Sequence, residues 1–132
     1  MAKQPSDQLS PQLNIDPNQY ALRFEAYQAG CIRINKTAYD TALVILCDRI
    51  IETDSTPYTE LTRRDILRWH TEHNPDLILI GCAHHNSYTL YDDIQNHHQH
   101  IGVEIMSTAA CIHAYIAMQV EQRRVLCYLS AA

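Results

Sequence analysis

From about residue 21 onward, short apolar runs alternate with polar breaks, and the run lengths predict alternating strands and helices. Arg23 to Tyr27 reads as a short first strand. Cys31-Ile32-Arg33-Ile34 alternates at period two, as a half-buried strand does, and Asn35-Lys36 supplies a turn after it. Ala42 to Cys47 is continuously apolar and fits a central strand. Asp48-Arg49 then turns the chain into an antiparallel return at Ile50-Ile51, and Thr53 to Glu60 reads as a loop around Pro57. Thr62 and Asp65 have the spacing of a capping box, which covers the free amides of a first helical turn. Ile66, Leu67 and His70 fall on one face of that helix. It is expected to end near His73, because Pro75 disfavours helical geometry at Asn74.

Leu77-Ile78-Leu79-Ile80 is short and wholly apolar, the pattern of a parallel strand buried on both faces, and Gly81 ends it. Cys82 to Thr89 reads as a polar loop and about Leu90 to Gln99 as a weaker helix. Gly102 stops that helix before a strand at Val103 to Met106. Ser107 is a good N-cap for a helix from Thr108 to about Gln122. This helix is apolar on nearly every side, so it is expected to be sandwiched rather than to lie at the surface. Val125 to Leu129 forms the last strand. Strand 77–80, helix 90–99 and strand 103–106 make a βαβ unit with parallel strands and a right-handed crossover. The fold class is therefore α/β, with antiparallel strands first and a βαβ unit after them.

Residues 1–20 differ from the rest. Pro5, Pro11 and Pro17, three charges and many Gln and Asn predict a disordered polar tail, which leaves 21–132 as one α/β domain. The tail has neither the apolar core of a secretory signal nor the Arg-rich make-up of an organelle address. No apolar run approaches the roughly 20 residues of a membrane span. A chain of 132 residues with 46% hydrophobic residues can bury a core without staples. The five cysteines (Cys31, Cys47, Cys82, Cys111, Cys127) form no C-x-x-C pair and read as reduced thiols, which points to the cytoplasm. A formal net charge of −5 argues against nucleic acid as a partner, and Arg63-Arg64 and Arg123-Arg124 read as solvated helix ends.

Open α/β sheets gather ligands beyond the carboxyl ends of their parallel strands. Two such ends are predictable, Gly81-Cys82-Ala83 and Ser107-Thr108, and the second opens a helix whose amides and dipole favour an anion. Tyr115 joins these as a candidate ligand-binding residue. The competing reading is structural: Ser107 caps its own helix and Gly81 turns the chain. Among eight histidines, His84 and His85 with Cys82 are weak metal candidates, because adjacent histidines seldom reach one ion and no H-E-x-x-H fixes a geometry. His97 and His100 read as helix-end residues, and His70 and His113 as packed inside the fold. Cys82 near His84 and His85 is a thin case for a nucleophile, since that role needs a depressed thiol pKa. Asp92-Asp93 reads as charge at a helix start. No cofactor motif is present, so none is expected.

Gly30-Cys31-Ile32-Arg33-Ile34-Asn35 with Tyr39, Leu46-Cys47-Asp48, Pro75 to Gly81, and Gly102 to Ala110 with Tyr115 and Arg123-Arg124-Val125 follow one another in a specific order. In that order and spacing the chain resembles a small uncharacterised α/β domain family found in archaea, bacteria and eukaryotes. The family includes the adipogenesis-associated domain protein and a mitochondrial assembly factor of respiratory complex I. The resemblance covers about residues 22–130 and implies three layers around a mixed sheet. It implies no established enzyme activity. Its best-studied role implies a non-enzymatic binding or assembly protein with a protein partner, assisting a membrane complex. The chain departs from the family pattern where Cys82-Ala83 replace Thr-Gly, Ser107 replaces Asp and Lys36 replaces Gly. His113 and Ile116 likewise replace the Arg and Asn around Tyr115. The runner-up reading is a small-molecule or anion-binding protein, or an enzyme, with its site at the strand ends near Gly81 and Ser107.

Overall fold

The computed structural model describes residues 22–82 and 88–131, and among them lie eight strands and three α-helices. Strands β1 (Phe24–Gln28), β2 (Cys31–Ile34) and β3 (Thr37–Tyr39) form a small antiparallel sheet. Strand β3 lies beyond the expected turn. Asn35 and Lys36 both take positive φ, 50° and 70°, between the paired residues Ile34 and Thr37. That geometry closes a two-residue hairpin whose twist matches the strands.

Strands β4 (Ala42–Leu46), β5 (Arg49–Ser55), β6 (Leu77–Gly81), β7 (Val103–Met106) and β8 (Val125–Leu129) form a five-stranded mixed sheet in the order β5-β4-β8-β6-β7. Strand β6 pairs in parallel with both β7 and β8, while β4 is antiparallel to β5 and β8. Strand β5 runs to Ser55, past the Thr53 where a loop is expected. Irregular pairing around Val44 lets its polar residues Glu52, Thr53 and Asp54 continue along an edge strand.

Helix α1 (Arg63–His73) starts at Thr62, whose amide donates to Asp65 Oδ2 at 3.0 Å. It ends at Asn74 in left-handed backbone, just before Pro75, as the sequence predicts. Helix α2 (Tyr88–His97) begins two residues before its expected start. Asp92 and Asp93 therefore lie beyond its first turn, and the helix-start reading of this pair is corrected. Asp93 instead meets Arg63 of α1 at 3.3 Å, while Asp92 is exposed. Helix α3 (Thr108–Val120) completes the set.

The sheet separates two cores. On one face Trp69, Ile66, Leu90 and Ile94 of α1 and α2 pack on Ile78, Ile80, Leu126 and Tyr128. On the other, Cys111, Ile112 and Tyr115 of α3, together with Ile32 and Ile34 of the small sheet, pack on Leu43, Ile45, Leu79 and Cys127. The fold is thus three layers around a mixed sheet. Alternation along β6 and β8 explains the split: neighbouring residues on a strand face opposite ways, and both faces are covered, so every position is apolar.

Helix α3 differs from expectation. Its inner stripe is buried, but Ala109, Ala110, His113, Ile116, Ala117 and Val120 are exposed. These positions recur at the helical period and make one outward face. The helix holds no Asp, Glu, Lys or Arg to mark that face as polar, which is why it reads as sandwiched in sequence. Residues 1–21 and the loop positions Ala83, His84 and His85 lie outside the described residues, and with them the expected tail and part of the candidate loop.

Candidate functional site

The carboxyl ends of β6, β7 and β8 lie side by side, because all three run parallel. Their outgoing chains diverge. The chain after β6 leads to α2 on one face of the sheet, and the chain after β7 leads to α3 on the other. A crevice opens where neighbouring strands send their connections to opposite faces, and this is where ligands bind in open α/β sheets. In this topology that switch point falls between Gly81-Cys82 and Met106-Ser107-Thr108.

The structure brings four of the predicted residues together at this point. The Cys82 amide donates to the Met106 carbonyl at 3.0 Å, extending the ladder one residue beyond β6. A Cβ placed on Gly81 would stand 3.1 Å from the Thr108 Cα. Ser107 Oγ accepts from the Ala110 amide at 3.2 Å, so it caps α3 as expected. Thr108 is buried, and its hydroxyl donates to the Ser130 carbonyl at 2.8 Å. Ser130 in turn donates its amide to the Gly81 carbonyl at 2.8 Å.

Ser130 is the residue that the sequence reading missed. It is the first polar residue after the apolar run Val125 to Leu129, but only the parallel pairing of β6 with β8 places it beside Gly81. Tyr115 lies elsewhere. Its hydroxyl donates to the Cys47 carbonyl, and the Cys47 amide donates to Val125 at the amino end of β8. Tyr115 therefore belongs to the opposite end of the sheet, two turns along α3, and its ring meets Phe24 edge-on at 5.6 Å.

The chemistry at the crevice is subdued. Cys82 is buried, and burial raises its thiol pKa against the smaller opposing effect of a hydrogen bond with Tyr58. A raised thiol stays protonated at neutral pH, the reverse of what a nucleophile or a metal ligand needs. Cys111 and Cys127 lie 3.5 Å apart in the core, and burial raises Cys127 as well. Among the described residues no three His, Cys, Asp or Glu side chains converge on a point.

Of the described histidines, His97, His98 and His100 lie between the end of α2 and the start of β7. His97 Nδ1 lies 2.9 Å from the Asp93 carbonyl, a contact within the last turn of α2. The rings of His70 and His98 approach His100 at 5.5 and 6.1 Å, near the amino end of β7. His113 is exposed on α3, which corrects the expectation that it packs inside. Both arginine pairs contribute ties within the fold: Arg63 pairs with Asp93, and Arg124 Nε donates to the His73 carbonyl at 2.9 Å.

Two parallel pairings at a topological switch, three layers and an appended antiparallel sheet define a small mixed α/β domain. Residues 24–130 match the family described as protein of unknown function (DUF498/DUF598), and the chain belongs to that family. Nothing among curated proteins matches it. Solved structures do. The XCC1710 protein of Xanthomonas campestris is 21% identical with a TM-score of 0.69, over 91% of this chain and 92% of that one. A Bordetella pertussis protein described as a Mth938-like domain is 18% identical with a TM-score of 0.65, over 91% and 92%. A Bartonella henselae protein described as an outer membrane protein is 20% identical with a TM-score of 0.63, over 85% and 96%. At these identities the likeness concerns the fold. No helix among the described residues is long and apolar enough to cross a membrane.

Proposed function

We propose that this domain is a non-enzymatic binding or assembly protein of the cytoplasm, holding a protein partner through the outer face of α3. The observation that carries the reading is that face. Ile116 is 42% exposed and Val120 49%, in a stripe that holds no Asp, Glu, Lys or Arg. Single exposed apolar residues are ordinary, but a whole uncharged helix stripe is the form in which helices dock apolar partners. The groups at the crevice support the same reading from the other side. Ser107 caps, Thr108 is tied to Ser130, and the Cys82 thiol is held neutral. The resemblance to a complex I assembly factor extends the reading to assistance of a respiratory membrane complex.

The test is a mild-detergent affinity pull-down of the tagged chain from its own cells, with mass spectrometry, beside an Ile116→Glu, Val120→Glu double variant. Recovery of respiratory-chain subunits by the wild type and their loss in the variant is the expected result. A wild type that captures nothing above background, or an identical set in both, sinks the reading.

A second reading places a small anion at the crevice. It is favoured by the switch-point geometry and by the first-turn amides of α3, whose dipole attracts negative charge. Titration with phosphate or a small carboxylate, followed by amide NMR, separates the two. Saturable shifts confined to Gly81, Thr108 and Ala109 favour the anion site, and shifts spread over the surface dismiss it.

A further inference from the structure

We propose that the outer edge of β7 is a docking strand for an extended segment of another protein, one that sets a Lys or Arg opposite Glu104 between β-branched neighbours. This surface is separate from the outer face of α3, and the proposal does not rest on the reading of that face.

The hydrogen-bond register carries the argument. Among the described residues β7 pairs with β6 alone and stands at one end of the five-stranded sheet. The carbonyls of Gly102 and Met106 accept from the amides of Ile78 and Cys82 at 2.9 and 3.0 Å. In a parallel ladder every second residue turns its amide and carbonyl to the same side, so Gly102, Glu104 and Met106 face β6. Val103 and Ile105 therefore turn their amides and carbonyls outward, and among the described residues these groups bond to no other backbone. Such a row is a template for one more strand.

The two edges of the sheet differ. Strand β5 pairs with irregularities on both sides of Val44 and exposes Thr53 and Asp54, which blunts that edge. Strand β7 pairs without a bulge. Val103 is buried, Ile105 packs on the core that holds Trp69, Met106 packs on the core that holds Cys111, and Glu104 is exposed. Glu104 enters no ion pair among the described residues. In antiparallel addition the outward bonds fall at Val103 and Ile105, so Glu104 occupies a non-hydrogen-bonded position, where facing side chains come nearest. A carboxylate there turns away strands that cannot answer it and favours one with a cation directly across. β-branched residues on either side of that cation fit the pleat beside half-buried Ile105. A second copy is the rival occupant, and its chemistry is wrong. Its own Val103 to Met106 holds no Lys or Arg, and pairing centred on Glu104 sets carboxylate against carboxylate.

The experiment follows amide hydrogen exchange by NMR in the full chain at neutral pH and low salt. The probes are two capped pentapeptides, Thr-Val-Lys-Val-Thr and Thr-Val-Glu-Val-Thr. In the chain alone, the Val103 and Ile105 amides are expected to exchange faster than those of Glu104 and Met106. The lysine peptide should slow Val103 and Ile105 saturably, with a Kd roughly fivefold below that of the glutamate peptide. Glu104→Lys, a change at an exposed position, should reverse that order. The Ile116→Glu, Val120→Glu variant should leave it intact, which keeps this test apart from the pull-down. No slowing with either peptide overturns the proposal. Equal affinity for the two peptides overturns the assignment of a basic partner. Val103 and Ile105 amides already protected in the chain alone overturn it as well. Protection that grows with protein concentration names a second copy as the occupant, and protection at every concentration names a segment of the same chain.

Discussion

Gly81 and Cys111 fix how closely α3 can approach β6. A Cβ built on Gly81 would stand 2.7 Å from the Cys111 Cβ and 3.2 Å from its sulfur. The first distance is one that real Cβ atoms do not adopt, so the absence of a side chain at Gly81 is what seats the helix on the strand. Gly81→Ala is expected to destabilise the domain by about 1–3 kcal/mol through overpacking. A Cys111→Ala change in the same background should not restore the loss, because it removes the sulfur and leaves the Cβ. Urea unfolding of the single and double variants decides the matter. Full rescue by Cys111→Ala would mean that the sulfur, not the backbone approach, sets the spacing.

Thr108 links the carboxyl ends of β7 and β8 from inside the protein. Its hydroxyl is 1% exposed as part of the residue and donates to the Ser130 carbonyl. Thr108→Val keeps the shape and strips the donor, leaving a buried carbonyl with one partner fewer. The expected cost is about 1–3 kcal/mol. Thr108→Ser, which keeps the hydroxyl and loses a methyl, should cost about 1 kcal/mol. Equal losses in the two variants would assign Thr108 to packing alone.

Lys36 occupies a backbone conformation that favours glycine, with φ at +70°. Its side chain is exposed, and the contact that matters is its amide, which donates to Glu25 Oε1 at 2.7 Å and survives any substitution but proline. An L-residue in left-handed backbone is disfavoured by roughly 1–2 kcal/mol, and glycine returns part of that as unfolded-state entropy, about 0.5–1 kcal/mol. Lys36→Gly is therefore expected to stabilise the fold by about 0.5–1 kcal/mol, read as a rise in the urea midpoint at unchanged slope. No change would show that the hairpin is relaxed with lysine in place.

That hairpin also shows where sequence stops being legible. Asn35-Lys36 signals a turn, but the Asn-Gly pair that announces a two-residue hairpin is missing, and Thr37-Ala38-Tyr39 is too short and too exposed to read as a strand. Strands buried on both faces were plain, since Ile78 to Ile80 and Val125 to Leu129 carry nothing but apolar residues. Capping was plain too, because Thr62, Asp65 and Ser107 act locally, within a few residues of chain. The candidate crevice was legible as two strand ends. Its third wall at Ser130 was not, because β8 joins the parallel set only through pairing between residues far apart in sequence. Tyr115 misled for the same reason: nothing local reveals that its hydroxyl meets Cys47, sixty-eight residues earlier. The outer face of α3 misled because alanine, isoleucine and valine look alike whether they face a core or water.

Buried hydroxyls and thiols set the response to alkali. Tyr115 and Tyr128 are almost wholly buried and donate to the carbonyls of Cys47 and Thr56, so burial raises both phenols above their ordinary range. Burial likewise raises the Cys82 and Cys127 thiols. Each group keeps its proton in the folded state while the unfolded chain releases it at the ordinary pKa. Stability is therefore whole below those ordinary values and falls as pH rises past them, from about 8.5 for the thiols and about 10 for the phenols. For one such group the slope approaches about 1.4 kcal/mol per pH unit at most. Tyr115→Phe separates its share. At neutral pH it loses the hydrogen bond to Cys47, at a cost of about 1 kcal/mol, yet it has no proton to lose at high pH. Urea midpoints of wild type and variant should differ at pH 7 and draw together above pH 10. Curves that stay parallel to pH 11 would mean that the Tyr115 phenol ionises in the folded protein as readily as in the unfolded chain, and that its hydroxyl is not buried against Cys47 at all.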